Sequence, residues 1–480
     1  MKTNIQQFYI RGKWQTPASD TQIYTVLNPA TQDVVATFPL GSEADVEAAV
    51  NAAADAFPEW SSLPASERQQ WLLRLADAMQ ERAQEFAQAH TQTMGCPVMH
   101  VDDLHVLGPI EGLRKTAALV GCLADEQRTD EVLITHEAAG VCALINPWNY
   151  PLHQLIGKLA PALLAGCTVV VKPAEQTPLQ DFILAQIIDD IGLPAGVFNL
   201  VFGEGAVVGS VMAQHPKVDL VSFTGSSRVG KTIGAEATQH IKKVCLELGG
   251  KSALIITEDA NLEDAIRYGI ENVMLNSGQT CDALTRMLLP RHLKQQAEAL
   301  AVDIAQNITV GDPQDPSVFM GPLCNLLQQQ RVLDYIQTGI NEGATLLTGG
   351  LSLPQGMDSG AYVMPTLFSD VTENMTIAKE EIFGPVLCIL YYDNIKEAIA
   401  IANNTEYGLS SGVYAKDYDS ALGIARKLRA GQTYLQGAFF NYDAPFGGFK
   451  QSGNGREWTQ SGLMEYTETK AFISPNAKEV

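Results

Sequence analysis

Basic residues are scarce in this sequence. Its 480 residues include 32 Lys and Arg against 54 Asp and Glu, which gives a formal net charge of −22 at pH 7. No run of Lys or Arg is long enough to override this acidic background locally. An electrostatic field of that sign repels nucleic-acid phosphates and anionic lipid headgroups. We therefore expect neither nucleic acid nor a membrane surface among the partners.

Long apolar segments are also lacking. The longest apolar run, residues 159–171, is interrupted by Pro161 and is too short to span a bilayer. The first seven residues lack the apolar centre of a signal peptide. A hydrophobic share of 46% with 18% charged residues is typical of a globular chain of two or three domains. These features predict a soluble, cytoplasmic protein.

The cysteines and histidines form no cluster. The eight cysteines (96, 122, 142, 167, 245, 281, 324 and 388) include no C-x-x-C motif, and the histidines form no H-x-x-x-H motif. Dispersed thiols suit a reducing compartment, and zinc or iron sites need closely spaced ligands. We predict no structural disulfide and no bound metal.

The clearest pattern is a regular alternation of strands and helices. Apolar strands are predicted at 141–145, 168–171, 198–201, 220–223 and 244–246, with a helix between each pair. This order predicts an α/β fold with a doubly wound parallel sheet, whose ligands bind at the carboxyl ends of the strands. A second α/β unit begins with a strand at 253–256. Residues 66–90 predict one amphipathic helix, and 132–137 an isolated strand that could pair with another subunit.

A glutamate and a cysteine stand out after the last strand of the first unit. Glu247 precedes two glycines, and Cys281 follows about one supersecondary unit later. A thiolate nucleophile needs a partner that later activates water, and a nearby carboxylate can serve as that base. The alternative is a surface acid and a buried cysteine that only fills space.

Three other polar residues follow strand ends. Asn149 lies between Pro147 and Pro151, which would hold its amide as a donor to an oxyanion; the alternative is a helix cap. Lys172 and Glu175 follow the second strand. A carboxylate there suits ribose hydroxyls and repels a 2′-phosphate, although a surface salt bridge is the simpler interpretation.

Residues 225–232, Gly-Ser-Ser-Arg-Val-Gly-Lys-Thr, match the P-loop pattern of ATP and GTP hydrolases. No hydrophobic strand ending in a magnesium-binding aspartate completes that assignment. In either case, a glycine at a helix N-terminus is a phosphate-binding feature. The motif alone leaves the identity of the phosphate open.

Taken together, these motifs carry a family resemblance. In order and spacing, the chain resembles the aldehyde dehydrogenase superfamily over nearly its whole length, at residues 146–151, 172–178, 223–226, 247–251, 278–281, 380–385 and 445–450. The resemblance implies a Rossmann-like NAD-binding domain (1–119 and 139–249), a catalytic domain (250–447) and a small β oligomerisation element (120–138 and 467–480). It also implies a homo-oligomer, either a dimer or a tetramer.

The resemblance implies roles for individual residues. Cys281 matches the nucleophile, Glu247 the general base, Asn149 the oxyanion donor beside the Cys281 backbone N–H, and Lys158 a proton-relay lysine. The implied cofactor is NAD rather than NADP because Glu175 is present. The residues that match cofactor contacts are Trp148, Lys172, Glu175, Gly205, Gly209, Ser226, Glu381 and Phe383, with Gly225 and Gly230 facing the pyrophosphate.

The implied reaction oxidises an aldehyde to a carboxylic acid through a thiohemiacetal and a thioester on the cysteine. The nearest rival is a CoA-acylating semialdehyde dehydrogenase, in which the position of Glu247 is usually not glutamate. A P-loop NTPase is the second alternative.

The sequence also gives indications about the substrate. Gly157 replaces a tryptophan that is common in the family, which predicts a wider substrate tunnel. Phe439, Phe440 and Tyr442, with Tyr150, predict an aromatic entrance. Asp282, next to the nucleophile, would disfavour anionic substrates if it faces the tunnel. We expect a neutral or aromatic aldehyde as the small-molecule substrate.

Overall fold

The computed structural model describes residues 3–19, 21–124, 126–357 and 359–475. The strands are β1 (Thr3–Asn4), β2 (Phe8–Ile10), β3 (Lys13–Gln15), β4 (Ile23–Leu27), β5 (Val34–Pro39), β6 (Gln127–Arg128), β7 (Val132–Ala138), β8 (Val141–Ile145), β9 (Thr168–Lys172), β10 (Phe198–Leu200), β11 (Leu220–Thr224), β12 (Lys243–Glu247), β13 (Ala253–Ile256), β14 (Arg286–Pro290), β15 (Thr345–Thr348), β16 (Thr366–Ser369), β17 (Val386–Tyr392), β18 (Ser410–Tyr414), β19 (Gln432–Leu435) and β20 (Thr467–Ile473).

The α-helices are α1 (Glu43–Ser62), α2 (Ala65–Glu81), α3 (Ala83–Met94), α4 (Val98–Val101), α5 (Gly108–Ala118), α6 (Pro151–Ala165), α7 (Leu179–Asp190), α8 (Ser210–Gln214), α9 (Ser227–Thr238), α10 (Leu262–Met274), α11 (Lys294–Gln306), α12 (Leu326–Asn341), α13 (Thr376–Lys379), α14 (Ile395–Asn403), α15 (Tyr418–Ala425) and α16 (Thr459–Glu465). Asp102–Leu107 and Gly205–Gly209 are π-helical, and Leu119–Ala124, Leu275–Gly278, Arg291–Leu293 and Lys450–Ser452 are short 3₁₀ helices.

The first large sheet has the strand order β12-β11-β8-β9-β10-β2-β3. Strands β8 to β12 run parallel, whereas the β2–β3 hairpin joins antiparallel at the edge. Every residue of β8, β9 and β11 is buried, as expected for parallel strands covered by helices on both faces. The predicted doubly wound α/β sheet is confirmed.

Helix α6 fixes the loop that follows β8. Pro151 occupies its first turn, where a missing N–H costs nothing, and Gly166 ends it in the left-handed region at φ 102°. Residues 146–150 are therefore confined between the end of β8 and the start of a buried helix. This loop contains Trp148 and Asn149.

The second large sheet has the order β15-β16-β17-β14-β13-β18-β19 and is parallel except for the β15–β16 pair. Its strand β13 starts six residues after Glu247, the last residue of β12. The turn at 248–252 therefore joins the two sheets. It brings the carboxyl end of β12 next to the second α/β unit.

A smaller sheet has the order β20-β7-β6. Strand β7 pairs antiparallel with β20 along its full length, from Val132 opposite Ile473 to Ala138 opposite Thr467. The strand predicted at 132–137 is therefore present, but the prediction that it is isolated was wrong. Its partner lies more than 300 residues away, beyond the reach of a local pattern. A further sheet, β1-β5-β4, lies near the N-terminus.

The helices in the described part of the chain include none with the length and apolar character needed to cross a membrane.

Candidate active site

Two cavities meet at Cys281. One, which we call the cleft, has a volume of about 360 Å³ and lies at the carboxyl ends of β8, β9, β11 and β12. The other, which we call the tunnel, has a volume of about 450 Å³ and is lined mainly by apolar side chains. Cys281 and Gln154 line both cavities. A molecule in the tunnel and one in the cleft can therefore both contact Cys281.

Glu247 lines the same cleft as Cys281. Its side chain is 3% exposed, and neither carboxylate oxygen has a hydrogen-bond donor in the described part of the chain. Burial, followed by the charge of Glu457, raises the pKa of Glu247 well above its usual value. A buried carboxyl with a raised pKa and free lone pairs can accept a proton near neutral pH.

The loop that carries Cys281 has an unusual backbone. Asn276, Ser277 and Gly278 adopt left-handed conformations with φ of 52°, 56° and 74°. A Cβ atom on Gly278 would lie 2.1 Å from the Gly384 carbonyl carbon, so only glycine fits this contact. Non-glycine residues in this region store strain that the surrounding structure must maintain, a feature that clusters at functional sites.

The Cys281 thiol is half-buried. Burial raises its pKa well above the usual value, and the neighbouring charge of Asp282 adds to the effect. The thiol is therefore the resting form, and the nucleophilic thiolate requires a proton acceptor.

Asn149 is held by the cysteine loop. One hydrogen of its Nδ2 is donated to the Gln279 backbone carbonyl at 3.0 Å, and the Asn149 backbone carbonyl accepts from Asn276 Nδ2 at 3.1 Å. Its side chain is 3% exposed and lines the cleft. The second Nδ2 hydrogen makes no hydrogen bond with a described residue, which leaves it available to a bound oxygen.

Lys158 lines neither cavity. Its ammonium group is fully buried and donates to Glu457 Oε1 at 2.7 Å and to the Gln154 carbonyl at 3.2 Å. Glu457 is 4% exposed, and its charge acts on Glu247. Sequence reasoning missed Glu457, since it lies 210 positions from Glu247 in a segment without a recognisable motif.

Eight predicted cofactor contacts line the cleft: Trp148, Lys172, Glu175, Gly205, Gly225, Ser226, Glu381 and Phe383. Glu175 accepts from the Gly205 N–H at 2.7 Å and lies 3.4 Å from the Lys172 ammonium, so its carboxylate is held at the rim. The N-terminus of α9 begins just after Ser226, which caps it by accepting from Val229. A fixed carboxylate and a helix N-terminus in one cleft fit the ribose hydroxyls and the phosphates of a dinucleotide.

The other two predicted contacts do not line the cleft. A Cβ atom on Gly230 would lie 2.4 Å from Leu248 Cδ2, so this glycine allows close packing of α9 against the turn after β12. Gly209 is buried at the end of the π-helical turn, near Ile145 and the Lys172 stem. Both sit beside the cleft rather than on its surface.

Lys231 and Thr232, which complete the P-loop pattern, are exposed on α9 and line neither cavity. A P-loop lysine and threonine must face the phosphates and the magnesium ion. The pattern therefore matches by coincidence, and the NTPase alternative is not favoured.

A loop from the second unit closes the cleft. The Glu381 carboxylate accepts from the Gly250 N–H at 3.0 Å, and burial raises its pKa to about 7. The Phe383 ring meets Trp148 edge to face, with centroids 5.4 Å apart. Gln328 and Arg331 of α12 hold this loop by donating to the carbonyls of Phe383 and Glu381, at 2.8 and 2.9 Å. No motif marks these two side chains in the sequence.

The tunnel is aromatic, as its residues predicted. Tyr150, Phe319, Tyr434, Phe439, Phe440, Tyr442 and Phe446 line it. Gly157 does not line the tunnel. A Cβ atom on Gly157 would instead lie 3.1 Å from Glu457 and 3.2 Å from Trp458, so the space beside this glycine is already filled. The structure therefore shows no widening at Gly157, and the prediction of a wider tunnel from this position was wrong.

The fold and the site together define a class of protein: an oxidoreductase with a dinucleotide cleft in a parallel α/β sheet and a cysteine at the junction of cleft and tunnel. Residues 14–472 match the model of the aldehyde dehydrogenase family, and the chain belongs to that family. The predicted family and the predicted activity, NAD-dependent oxidation of an aldehyde, are confirmed.

Individual relatives cover almost the whole chain. It is 45% identical over 473 residues to 3-succinoylsemialdehyde-pyridine dehydrogenase of Pseudomonas sp, with 98% of each chain covered. A variant of aldehyde dehydrogenase C of Pseudomonas syringae, complexed with NAD+ and octanal, is 45% identical, with 98% and 97% coverage and a TM-score of 0.96. An aldehyde dehydrogenase of Mycobacterium tuberculosis complexed with NAD+ is 38% identical, with 99% of each chain covered and a TM-score of 0.97.

Proposed function

We propose that this enzyme oxidises an aldehyde to a carboxylic acid by the hydrolytic route, with Cys281 as nucleophile and Glu247 as general base. The observation that carries the proposal is that both side chains line one cleft, at the point where the tunnel opens on Cys281. The aldehyde enters through the tunnel, and the cleft holds the NAD.

The first step forms a carbon–sulfur bond. The Cys281 thiol loses its proton to water in the cleft, its sulfur attacks the aldehyde carbon, and the carbonyl oxygen takes the electron pair as an alkoxide. The unused Nδ2 hydrogen of Asn149 and the Cys281 backbone N–H stabilise this negative charge. Asn149 is well suited because the hydrogen bond from Nδ2 to the Gln279 carbonyl orients its amide before the substrate arrives.

NAD held in the cleft by Glu175 and the N-terminus of α9 would supply the hydride acceptor for the substrate carbon. The acyl group then remains on Cys281 as a thioester. Glu247 takes a proton from water, the resulting hydroxide adds to the thioester carbon, and the carbon–sulfur bond breaks to release the acid. The charge of Glu457, which accepts from buried Lys158 at 2.7 Å, raises the pKa of Glu247 and so makes it a stronger base.

The lining of the tunnel supports a neutral or aromatic aldehyde as substrate. Its volume of about 450 Å³ and its aromatic walls suit a ring or an alkyl chain. The name of the Pseudomonas relative includes a pyridine, and the Pseudomonas syringae enzyme was crystallised with octanal. Both names point to aldehydes with a large, uncharged body.

The assay that tests the proposal follows NADH formation from benzaldehyde and octanal, with product analysis with and without CoA. We expect the free acid and no dependence on CoA, since Glu247 is available to activate water. We also expect NAD to be preferred over NADP, because the Glu175 carboxylate on the cleft repels a 2′-phosphate. An acyl-CoA product would instead favour the CoA-acylating alternative.

Replacing Asn149 with alanine should lower kcat by about 10²–10³-fold, the usual cost of losing one oxyanion donor. The affinity for NAD should change little, since the change removes a donor to the alkoxide. Asn149→Asp, which keeps the shape but lacks the amide hydrogens, should be equally slow. An Asn149→Asp variant with wild-type kcat would rule out the donor role.

The small sheet supports the proposal of a homo-oligomer, either a dimer or a tetramer. Phe472 and Ile473 on β20 are 37% and 82% exposed, so this sheet presents apolar side chains to solvent. Light scattering of the wild type and of Ile473→Asp tests the proposal, since a buried aspartate would weaken the assembly.

The eight free cysteines support a cytoplasmic location, where thiols stay reduced.

A further inference from the structure

Three carboxylates line the tunnel. Asp103 lies on the π-helical segment, Glu271 on α10 and Asp282 directly after Cys281. They come from three separate elements, and the described residues that line the tunnel include no lysine or arginine. The tunnel therefore carries negative charge from more than one side.

No ion pair within the described part of the chain neutralises these three carboxylates. Asp282 Oδ2 accepts from the Tyr434 hydroxyl at 2.5 Å, a neutral donor. Asp103 and Glu271 have no side-chain hydrogen bond and no ion pair within the described ranges, 3–19, 21–124, 126–357 and 359–475. Glu271 and Asp282 are only half-exposed, so water screens them incompletely.

The two tunnel histidines provide no compensating cation. Burial lowers the pKa of His100 and lowers that of His153 to about 3, so both imidazoles are neutral at physiological pH. His153 Nδ1 shares a hydrogen bond of 2.9 Å with the Tyr442 hydroxyl, which holds the ring against the wall.

The aromatic rings of the tunnel also favour cations over anions. The ring of Phe440 meets Tyr442 at 4.8 Å and His153 at 5.1 Å, both edge to face. Phe319 and Phe439 extend the aromatic lining. Ring faces attract cations, and such contacts strengthen where water is excluded.

We propose that Glu271, Asp282 and Asp103 select substrates by charge, so that the enzyme favours aromatic aldehydes that are neutral or carry a cationic nitrogen and rejects those that carry a carboxylate. This inference rests on the proposed function, since it concerns the tunnel through which the aldehyde reaches Cys281. Glu271 is the main determinant, because it is half-exposed and unpaired.

Three aldehydes of similar shape test the proposal: benzaldehyde, 4-carboxybenzaldehyde and 4-(trimethylammonio)benzaldehyde. For the wild type, kcat/KM for the anion should be lower than for the cation by about tenfold or more, chiefly through KM. The difference should shrink as NaCl is raised, because salt screens partly exposed charges.

Glu271→Gln should reduce the cation-to-anion ratio of kcat/KM several-fold, and Glu271→Lys should reduce it further. The substituents alter the reactivity of the aldehyde, but this effect cancels when variant and wild type are compared on the same substrates. Glu263→Gln is the matched control: Glu263 is on the same helix, is exposed, pairs with Arg267 and does not line the tunnel. If the Glu271 variants fail to fold, Asp103→Asn at the exposed end gives the same test.

Each outcome is decisive. Equal kcat/KM for the anion and the cation, or a ratio unchanged in the Glu271 and Asp103 variants, overturns the charge selection alone. No NADH from any of the three aldehydes, with the protein folded and NAD bound, overturns the proposed function instead.

Discussion

Cys281→Ala should lower aldehyde oxidation by about 10⁴-fold or more, because loss of the nucleophile prevents formation of the covalent intermediate. The Cys281 sulfur makes no hydrogen bond with a described residue, so its removal breaks no hydrogen bond there. NAD binding should be preserved, because Glu175, Gly225 and the N-terminus of α9 in the cleft are unchanged. Titration of tryptophan fluorescence with NAD measures this, as Trp148 lines the cleft.

Cys122→Ala is the matched control. Cys122 and Cys281 are the two half-buried cysteines, whereas the other six are buried. Cys122 lines neither cavity, and its alanine variant should oxidise benzaldehyde at the wild-type rate. Retained oxidation in Cys281→Ala would show that the nucleophile lies elsewhere.

Glu247→Gln should acylate but fail to turn over. The glutamine cannot take a proton from water, so each active site should produce one NADH in a burst and then stall. Steady-state turnover should fall by about 10²–10⁴-fold, the usual contribution of a general base. Stopped-flow absorbance separates the burst from the later phase. A linear trace at the wild-type rate would contradict the role of Glu247.

The pH dependence gives an independent check on the same residue. Only ionised Glu247 can act as base, and burial raises its pKa well above the usual value. The rate of deacylation should therefore increase as pH rises through this raised pKa, well above the range of an exposed glutamate. In Glu247→Gln this increase should disappear.

The stability of the same variant serves as its folding control. A carboxyl whose pKa is raised in the folded state binds its proton more tightly there than in the unfolded chain. Stability from this group is thus present at low pH and is lost as pH rises above the unfolded pKa. Glu247→Gln removes the free-energy cost of ionising a buried carboxyl. Its melting temperature at pH 8 should therefore equal or exceed that of the wild type.

Much of the fold could be predicted because its signals are local. The strands β8, β9 and β11 are continuous apolar runs bounded by turns, and parallel strands covered on both faces have this appearance. The helix predicted over 66–90 is instead two helices that meet at Arg82, whose φ and ψ of −105° and 19° leave the helical region. Amphipathic periodicity continues across the break, so the pattern could not reveal it.

The site was predictable where a residue belongs to a short motif and not where it acts from a distance. Cys281, Glu247 and Asn149 stand at the ends of recognisable segments, and the structure brings all three to one cleft. Glu457 and Glu271 have no such context. Glu457 lies in a segment without a recognisable motif, and the position of Glu271 on α10 could equally face solvent.

The most direct test of the account traps the acyl group. Glu247→Gln is mixed with NAD and benzaldehyde, quenched in acid, digested and analysed by mass spectrometry. We predict a benzoyl adduct on the peptide that contains Cys281, in an amount equal to the NADH of the burst. A burst without an adduct, or an adduct on a different cysteine, would contradict the pairing of Cys281 with Glu247.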